Sequence, residues 1–329
     1  MGSFLVVGGA GYIGSHVVKE LIAAGHEVIV LDDLSKGHRE ALVGGTFVQG
    51  DLGDPVLLDR IFKERCIDCV MHFAAFSLVG ESVDKPLLYY NNNTGKTAVL
   101  LSAMQRYGVL KFILSSTAAV YGEPEEVPIP ETAVLDPTNP YGRSKLFIER
   151  ILGDSDRAYG LKYISLRYFN AAGADESCDI GEDHSPETHL IPLVLEVPLG
   201  KRDHLDIYGT DWDTPDGTCV RDYIHVTDLA RAHILAAERL IHGGESAVYN
   251  LGCENGYSVK EIVAIVRKIT GQHIPVRETA RRPGDPARLV ASSERIKSEL
   301  GWRPVFDDPE KIIATAWRWH KNHPNGFKN

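Results

Sequence analysis

Four apolar residues, Phe4-Leu5-Val6-Val7, run directly into Gly8-Gly9-Ala10-Gly11-Tyr12-Ile13-Gly14, and a helical pattern follows at once. This order restricts the possible folds more than any other stretch of the chain. Glycines at 8, 11 and 14 let a pyrophosphate approach the backbone N–H groups of a helix N-terminus, where Cβ atoms would block it. Ile13, Val17, Val18 and Leu21 give the helix a core-facing stripe. A tight turn without a ligand is the alternative, and the next strand decides against it. Val28–Leu31 ends in Asp32, where a carboxylate accepts hydrogen bonds from an adenosine ribose and repels a 2′-phosphate. NAD is therefore expected rather than NADP. Asp51 follows a third strand, Thr46–Gln49, and is open between an adenine contact and a helix cap.

The alternation continues. Pro55–Lys63 predicts a helix, Cys69–Phe73 a strand, Leu87–Tyr107 one long helix, Lys111–Ser115 a strand, Pro140–Asp154 a helix and Tyr163–Arg167 a strand. Strand and helix in turn predict an α/β fold, a Rossmann-type doubly wound parallel sheet. After residue 170 the rhythm breaks into polar, turn-rich chain, then Ile191–Leu199 (helix), Leu205–Tyr208 (strand), Asp228–Leu240 (helix), Val248–Leu251 (strand), Val259–Thr270 (helix) and Glu294–Leu300 as a last short helix. The reading is an NAD-binding domain over 1–170 and a smaller mixed α/β C-terminal substrate domain over 171–329, with 222–252 returning to the first. A net charge of -10 offers no basic stripe for nucleic acid. No apolar run reaches the ~18–20 residues of a membrane span, and no signal peptide is visible. Five scattered cysteines suit a reducing compartment, and Cys66-x-x-Cys69 lacks a second pair at zinc spacing. The expectation is a cytoplasmic protein without a metal site.

A second constellation lies across the fifth strand. Lys111–Leu114 delivers Ser115-Ser116-Thr117 to the carboxyl end of a central strand, where open α/β sheets place ligands. Tyr141 and Lys145 then stand four apart on a helix, about 5–6 Å apart at Cβ. Hydride removal from an alcohol needs a base for the hydroxyl proton. A free phenol, with a pKa of about 10, needs roughly 4 kcal/mol of differential stabilisation to act near neutrality. A neighbouring lysine and a cationic cofactor ring can supply it, and the Thr117 hydroxyl can orient the substrate oxygen.

Further motifs carry a resemblance: Leu31-Asp32-Asp33-Leu34, His72-Phe73-Ala74-Ala75, the run Lys85 to Asn93, Ser115 to Gly122, Tyr168-Phe169-Asn170, Asp216 to Val226, and Arg281-Arg282-Pro283-Gly284-Asp285. With the glycine turn, these identify the chain as a member of the extended short-chain dehydrogenase/reductase family, similar to its nucleotide-sugar epimerases over nearly the whole length. The resemblance makes Tyr141 the base, Lys145 the residue that lowers its pKa and holds the nicotinamide ribose, and Thr117 the hydroxyl partner. It assigns to NAD the residues Gly8, Gly11, Tyr12, Ile13, Gly14, Asp32, Asp51 and Leu52. Phe73, Ala74, Ala75, Asn92, Ser115 and Tyr168 join them, with Tyr141 and Lys145. It gives the UDP-hexose Asn170, Leu190, Tyr208, Arg221, Tyr223, Arg282 and Asp285, with Leu289, Thr117 and Tyr141 on the sugar side. Ser77 stands where some relatives have a cofactor-contacting lysine, and His189 where some have asparagine.

The implied activity interconverts UDP-galactose and UDP-glucose by oxidation at C4, rotation of the 4-keto sugar and reduction on its other face. A 4,6-dehydratase needs an Asp-Glu pair after the hydroxyl residue, and Ala118-Ala119 stand there instead. Another epimerase or a decarboxylase of the same family, and an NAD-binding sensor without turnover, are the remaining alternatives; the intact Tyr141, Lys145 and Thr117 speak against the sensor. Leu289 is intermediate in bulk at a position that sets pocket width in the family, so N-acetylhexosamine substrates are expected beside the hexoses. The Leu87–Tyr107 and Tyr141 helices resemble elements that pair two subunits, implying a homodimer.

Overall fold

The computed structural model describes residues 2–282 and 285–327; Pro283 and Gly284 of the Arg-Arg-Pro-Gly-Asp run lie outside them. The first half contains β1 (Ser3–Val7), α1 (Tyr12–Ala23), β2 (Glu27–Asp32), β3 (Thr46–Gln49), α2 (Pro55–Glu64), β4 (Cys69–His72), α3 (Val79–Asp84), α4 (Pro86–Tyr89), α5 (Lys96–Arg106), β5 (Lys111–Thr117), α6 (Pro140–Tyr159) and β6 (Lys162–Tyr168). The second half adds β7 (Asn170–Ala172), α7 (Leu190–Glu196), β8 (Leu205–Tyr208), β9 (Val220–His225), α8 (Val226–Ile241), β10 (Ala247–Leu251), β11 (Gly256–Ser258), α9 (Val259–Thr270), β12 (Val276–Thr279), β13 (Arg288–Leu289), α10 (Glu294–Leu300) and α11 (Pro309–Asn322).

Among the described residues seven strands form one parallel sheet in the order β10-β6-β5-β4-β1-β2-β3. The order reverses between β1 and β4, and ligands bind at such a switch point, beyond the carboxyl ends of the strands. The expected doubly wound sheet is therefore the observed one. Its inner strands β1 and β4 are almost wholly apolar and buried because both faces are covered, whereas the edge strand β3 is half-exposed. Phe4 and Val6 point into a core with α1 and α8, while Leu5 and Val7 point into another with α2, α5 and α6. α8 and β10, remote in sequence, complete this layer. A smaller body gathers β7, β11 and β13 on β9, with β8 and β12 as a separate pair. Its core includes Ile191, Val194, Ile207, Ile262, Val266, Ile312 and Ile313.

Local chemistry sets the helix that matters most. Asn139 caps α6 by accepting from the Gly142 amide at 2.9 Å, Pro140 occupies its first position, and Gly160 ends it in the left-handed region at φ 78°. The helix thus continues five residues past the expected end at Asp154. The expected single helix over Leu87–Tyr107 is instead interrupted by a widened, π-helical turn at Tyr90–Gly95, with α4 before it and α5 after it. There Asn93 turns its amide across to Phe76 O and Ser144 Oγ, both at 3.0 Å.

Glu294–Leu300 is not the last helix, because α11 follows it. Asp308 caps α11 through the Glu310 amide at 2.8 Å, and Ile312, Ile313, Ala316 and Trp319 form its buried face. β7, β9, β11, β12, β13 and α3 also escaped the sequence reading. Apart from β9 they are short, and β12 is largely exposed, so neither length nor alternation marks them.

Trp319 is fully buried, donates Nε1 to Glu182 O at 3.0 Å, and presses its ring where a Cβ on Gly181 would lie 2.4 Å away. Trp319→Ala is expected to cost about 3–5 kcal/mol, read as a lowered urea midpoint.

Candidate active site

The carboxyl ends of β1, β2 and β4 build a cradle. Gly8 adopts φ 80°, and a Cβ there would sit 2.4 Å from the Ala74 amide nitrogen. A Cβ on Gly14 would sit 2.2 Å from Gly8 O. No side chain caps the N-terminus of α1, where Gly11 is the flanking residue. The Tyr12 and Ile13 amides of that first turn are therefore open to an anion. Phe73 and Ala74 are held beside it by their amides, which donate to Val7 O at 2.7 and 3.1 Å.

Asp32 ends β2, buried, and accepts from the Ala10 and Leu34 amides at 2.9 Å each. Burial raises its pKa, and the two amides pull it back. The cradle that a Cβ would fill, the uncapped helix start and this carboxylate fit a dinucleotide with a free 2′-hydroxyl. Asp51 pairs with Lys96 at 2.6 Å and accepts from the Gly53 amide at 2.7 Å, and Leu52 beside it is buried. The cap of α2 is Asp54, through Val56 and Leu57, so the capping alternative for Asp51 falls. Asn92 lies in the widened turn and donates to Asn93 Oδ1 at 3.2 Å.

Thr117 ends β5, in register with Tyr168 on β6. Tyr141 is the second residue of α6 and is almost wholly buried. Burial raises its phenol, and a hydrogen bond with Thr117 lowers it in part. Lys145, one turn on, donates to Ser115 O at 2.7 Å, and burial pushes its ammonium down to about 8 against the pull of Glu149. Ser115 Oγ meets the Tyr168 hydroxyl at 2.5 Å.

One turn further along α6 is a pair missed in the sequence. Glu149 and Arg167, both buried, form a bidentate contact with Nη2–Oε2 at 2.5 Å and Nε–Oε1 at 3.0 Å. Ser116 Oγ donates to Glu149 Oε1 at 2.5 Å, and Arg167 Nη1 donates to the Tyr121 hydroxyl at 2.9 Å. That hydroxyl donates to Asn250 Oδ1 on β10 at 2.7 Å. The i, i+4 continuation from Lys145 was the available signal.

A pocket opens opposite. Asn170, Leu190, Tyr208, Arg221, Tyr223, Arg282 and Asp285 all line it, as does His189, the residue standing where some relatives have asparagine, and as do Asp206, Cys219 and Val259, which were not anticipated. Arg282 lies over the Tyr208 ring at 4.8 Å and pairs with Asp285 at 2.9 Å. Asp285 also stands 4.0 Å from Arg221. Asn170 donates to Asp222 O at 2.9 Å. Leu289 pairs with Arg221 in the sheet and packs against the cluster of Ala118, Val120, Tyr121, Ile129 and Leu146, next to Thr117. The pocket can therefore hold an anionic ligand at its arginines, and Leu289, which is not among its lining residues, packs beside the chain that follows Thr117.

Residues 4–252 match the model of the NAD dependent epimerase/dehydratase family. The UDP-glucose 4-epimerase of Lacticaseibacillus casei is 55% identical over 323 residues, 98% of this chain and 98% of that protein. A crystal structure of a UDP-glucose 4-epimerase, 53% identical, covers 99% of this chain and all of its own at a TM-score of 0.97. The UDP-glucose 4-epimerase from Bifidobacterium longum, solved with NAD⁺ and UDP, is 41% identical and covers 98% of this chain and 99% of its own, with a TM-score of 0.93.

Glu149→Ala strands Arg167 in a dry interior and is expected to cost about 3–5 kcal/mol, whereas the double change Glu149→Leu, Arg167→Met leaves no buried charge and costs much less. Denaturant midpoints of the two variants beside the parent measure the difference.

Proposed function

The chain belongs to the NAD dependent epimerase/dehydratase family, and from that premise we infer that it is an NAD-dependent enzyme interconverting UDP-galactose and UDP-glucose by inversion at C4. The observation that carries the reading is that the glycine cradle with Asp32 and the Thr117–Tyr141–Lys145 group both stand at the carboxyl ends of one parallel sheet, while Asn170 and Ala171, directly after β6 of that sheet, line the arginine-bearing pocket.

The bound cofactor supplies a hydride acceptor for C4 and a positive ring charge beside the phenol. Gly8, Gly11, Tyr12, Ile13 and Gly14 hold its pyrophosphate, Asp32 its adenosine ribose, and Asp51 with Leu52 flanks the adenine side. Phe73, Ala74, Ala75, Asn92, Ser115 and Tyr168 line the remainder of its path. Tyr141 takes the proton of the sugar 4-hydroxyl while Thr117 orients that oxygen, and Tyr141 returns the proton after the 4-keto sugar has turned. Lys145 favours the phenolate by its charge. Burial alone pushes Tyr141 the other way, so the phenol becomes a base only when cationic neighbours compensate.

Rotation without release requires a firm grip on UDP and a loose one on the hexose. Arg221 and Arg282 supply charge-assisted donors for the diphosphate, with Asn170, Leu190, Tyr208, Tyr223 and Asp285 around them. Leu289 bounds the sugar end, and its intermediate bulk leaves room for N-acetylated hexoses. Two bodies share the work: 1–170 with 222–252 for NAD, and the rest for the UDP-sugar.

A homodimer is part of the same reading. Leu87 is 73% exposed and Phe147 41%, and Tyr90 beside Leu88 packs against Phe147 at 5.9 Å between ring centroids. α4 and α6 thus present an apolar strip suited to a second copy. No described helix is long and apolar enough to cross a membrane, and the free thiols of Cys66, Cys69, Cys178, Cys219 and Cys253 support a cytoplasmic setting.

Three measurements test this. Conversion of UDP-galactose by Tyr141→Phe should fall about 10²–10⁴-fold in kcat, with KM much less altered; undiminished turnover overturns the assignment. Lys145→Met removes the cation that favours phenolate, so its rate–pH profile should move to higher pH and activity lost at pH 7 should partly return in alkali. Phe147→Glu with Leu87→Glu should halve the mass seen by light scattering.

A further inference from the structure

Four side chains outside the catalytic group converge within one short stretch of irregular chain before α7. They are Glu182, His184, Glu187 and His189, and one potential ligand atom from each lies within 4.8 Å of the others. The cross distances are specific. His184 Nδ1 is 3.0 Å from Glu182 Oε1 and 3.8 Å from Glu187 Oε2. His189 Nδ1 is 2.9 Å from Glu182 Oε1 and 2.9 Å from Glu187 Oε1. Hydrogen bonding accounts for only part of this arrangement, since each of the two Nδ1 atoms carries at most one proton yet faces two carboxylates. A single central cation satisfies the whole cycle at once. Donors held ~2.0–2.1 Å from a tetrahedral zinc ion are about 3.3–3.4 Å apart, the middle of the observed range.

We propose that Glu182, His184, Glu187 and His189 bind one divalent transition-metal ion, zinc foremost, in a closed tetrahedral site. Two imidazoles and two carboxylates suit zinc better than calcium or magnesium, which prefer all-oxygen shells of higher coordination. Two carboxylates also neutralise the ion. The surroundings resemble an outer shell that orients ligands: the Thr188 and His189 amides donate to Glu187 Oε1 at 2.6 and 2.7 Å, and Tyr12 packs edge-on against His184 at 5.9 Å. With all four positions filled by protein, the ion is structural and not a catalyst.

Its position gives it a task. Lys36 Nζ reaches Ser185 O at 3.0 Å and His38 Nε2 contacts Asp183 O at 2.9 Å, so the stretch is fastened to the chain after β2. His189 and Leu190 line the nucleotide pocket. The ion would therefore set the shape of a stretch that touches the chain after β2 on one side and the pocket on the other. The expected absence of a metal site rests on the cysteines alone, whereas the four ligands recur at the spacing Glu-x-His-x-x-Glu-x-His over 182–189.

The test uses the full chain, stripped with dipicolinate, gel-filtered and reloaded with Zn²⁺ or Co²⁺. About one zinc per chain is expected to survive a second gel filtration, Co²⁺ should give the intense visible bands of a four-coordinate ion, and both should vanish in His184→Asn. If that variant does not fold, X-ray absorption at the zinc edge of the parent should show a nitrogen and oxygen shell with two imidazoles. Less than about a tenth of an equivalent with no visible band, binding unchanged in His184→Asn, or a shell without imidazole would each overturn the site and leave an ion-pair network only.

Discussion

Glu149 and Arg167 cannot be separated without leaving a charge in a medium that does not tolerate one, and around that pair the central part of the molecule is fixed. Glu149 belongs to α6 and Arg167 to β6, so the contact fastens the helix bearing Tyr141 and Lys145 to the sheet bearing Ser115 and Thr117. Ser116, Tyr121 and Asn250 extend the fastening across three strands. Tyr141, Lys145 and Glu149 recur every four residues, which places them along one face of α6. The same face thus carries the Tyr141 phenol, the Lys145 ammonium one turn on and the anchor beneath them. Geometry at the reactive end is inherited from burial at the other.

The opposite wall is built differently. Arg221 comes from β9, Arg282 from the chain between β12 and β13, and Tyr208 from β8. Their contacts are partly exposed and uneven in length, 2.9 Å from Arg282 to Asp285 but 4.0 Å from Arg221 to the same carboxylate. This wall is held by exposed ion pairs, whereas the α6 side is held by buried ones. In the proposed reaction the buried side would carry the chemistry and the arginine side the nucleotide.

What the sequence made legible follows from how each feature is encoded. The glycine turn, Asp32 and the strand–helix alternation are local patterns with strong physical requirements, and the sheet confirms the fold they predict. The pocket-lining set was legible only through resemblance, because Asn170, Leu190, Tyr208, Arg221 and Arg282 are brought together from segments that no local rule connects. α11 was missed although Asp308-Pro309 and its apolar stripe announce it. The short strands β11 and β13 exist because β9 lies beside them, and no pattern of their own marks them. Arg167 in Leu166-Arg167-Tyr168 reads as a strand residue, and its burial depends on a partner in another element.

The late return of the chain to its first sheet has a consequence for synthesis. β10 supplies the edge beside β6, and α8 lies over the same core as α1. A nascent chain that has emerged only to residue 168 carries β6 with an unpaired edge, and Val17, Val18 and Leu21 without their partner helix. Parallel pairing across some eighty intervening residues is slow to form, and an open strand edge is a template for other chains. The ribosome must therefore deliver residue 251 before the first sheet can close, and the vulnerable interval in the life of this protein comes before it leaves the tunnel.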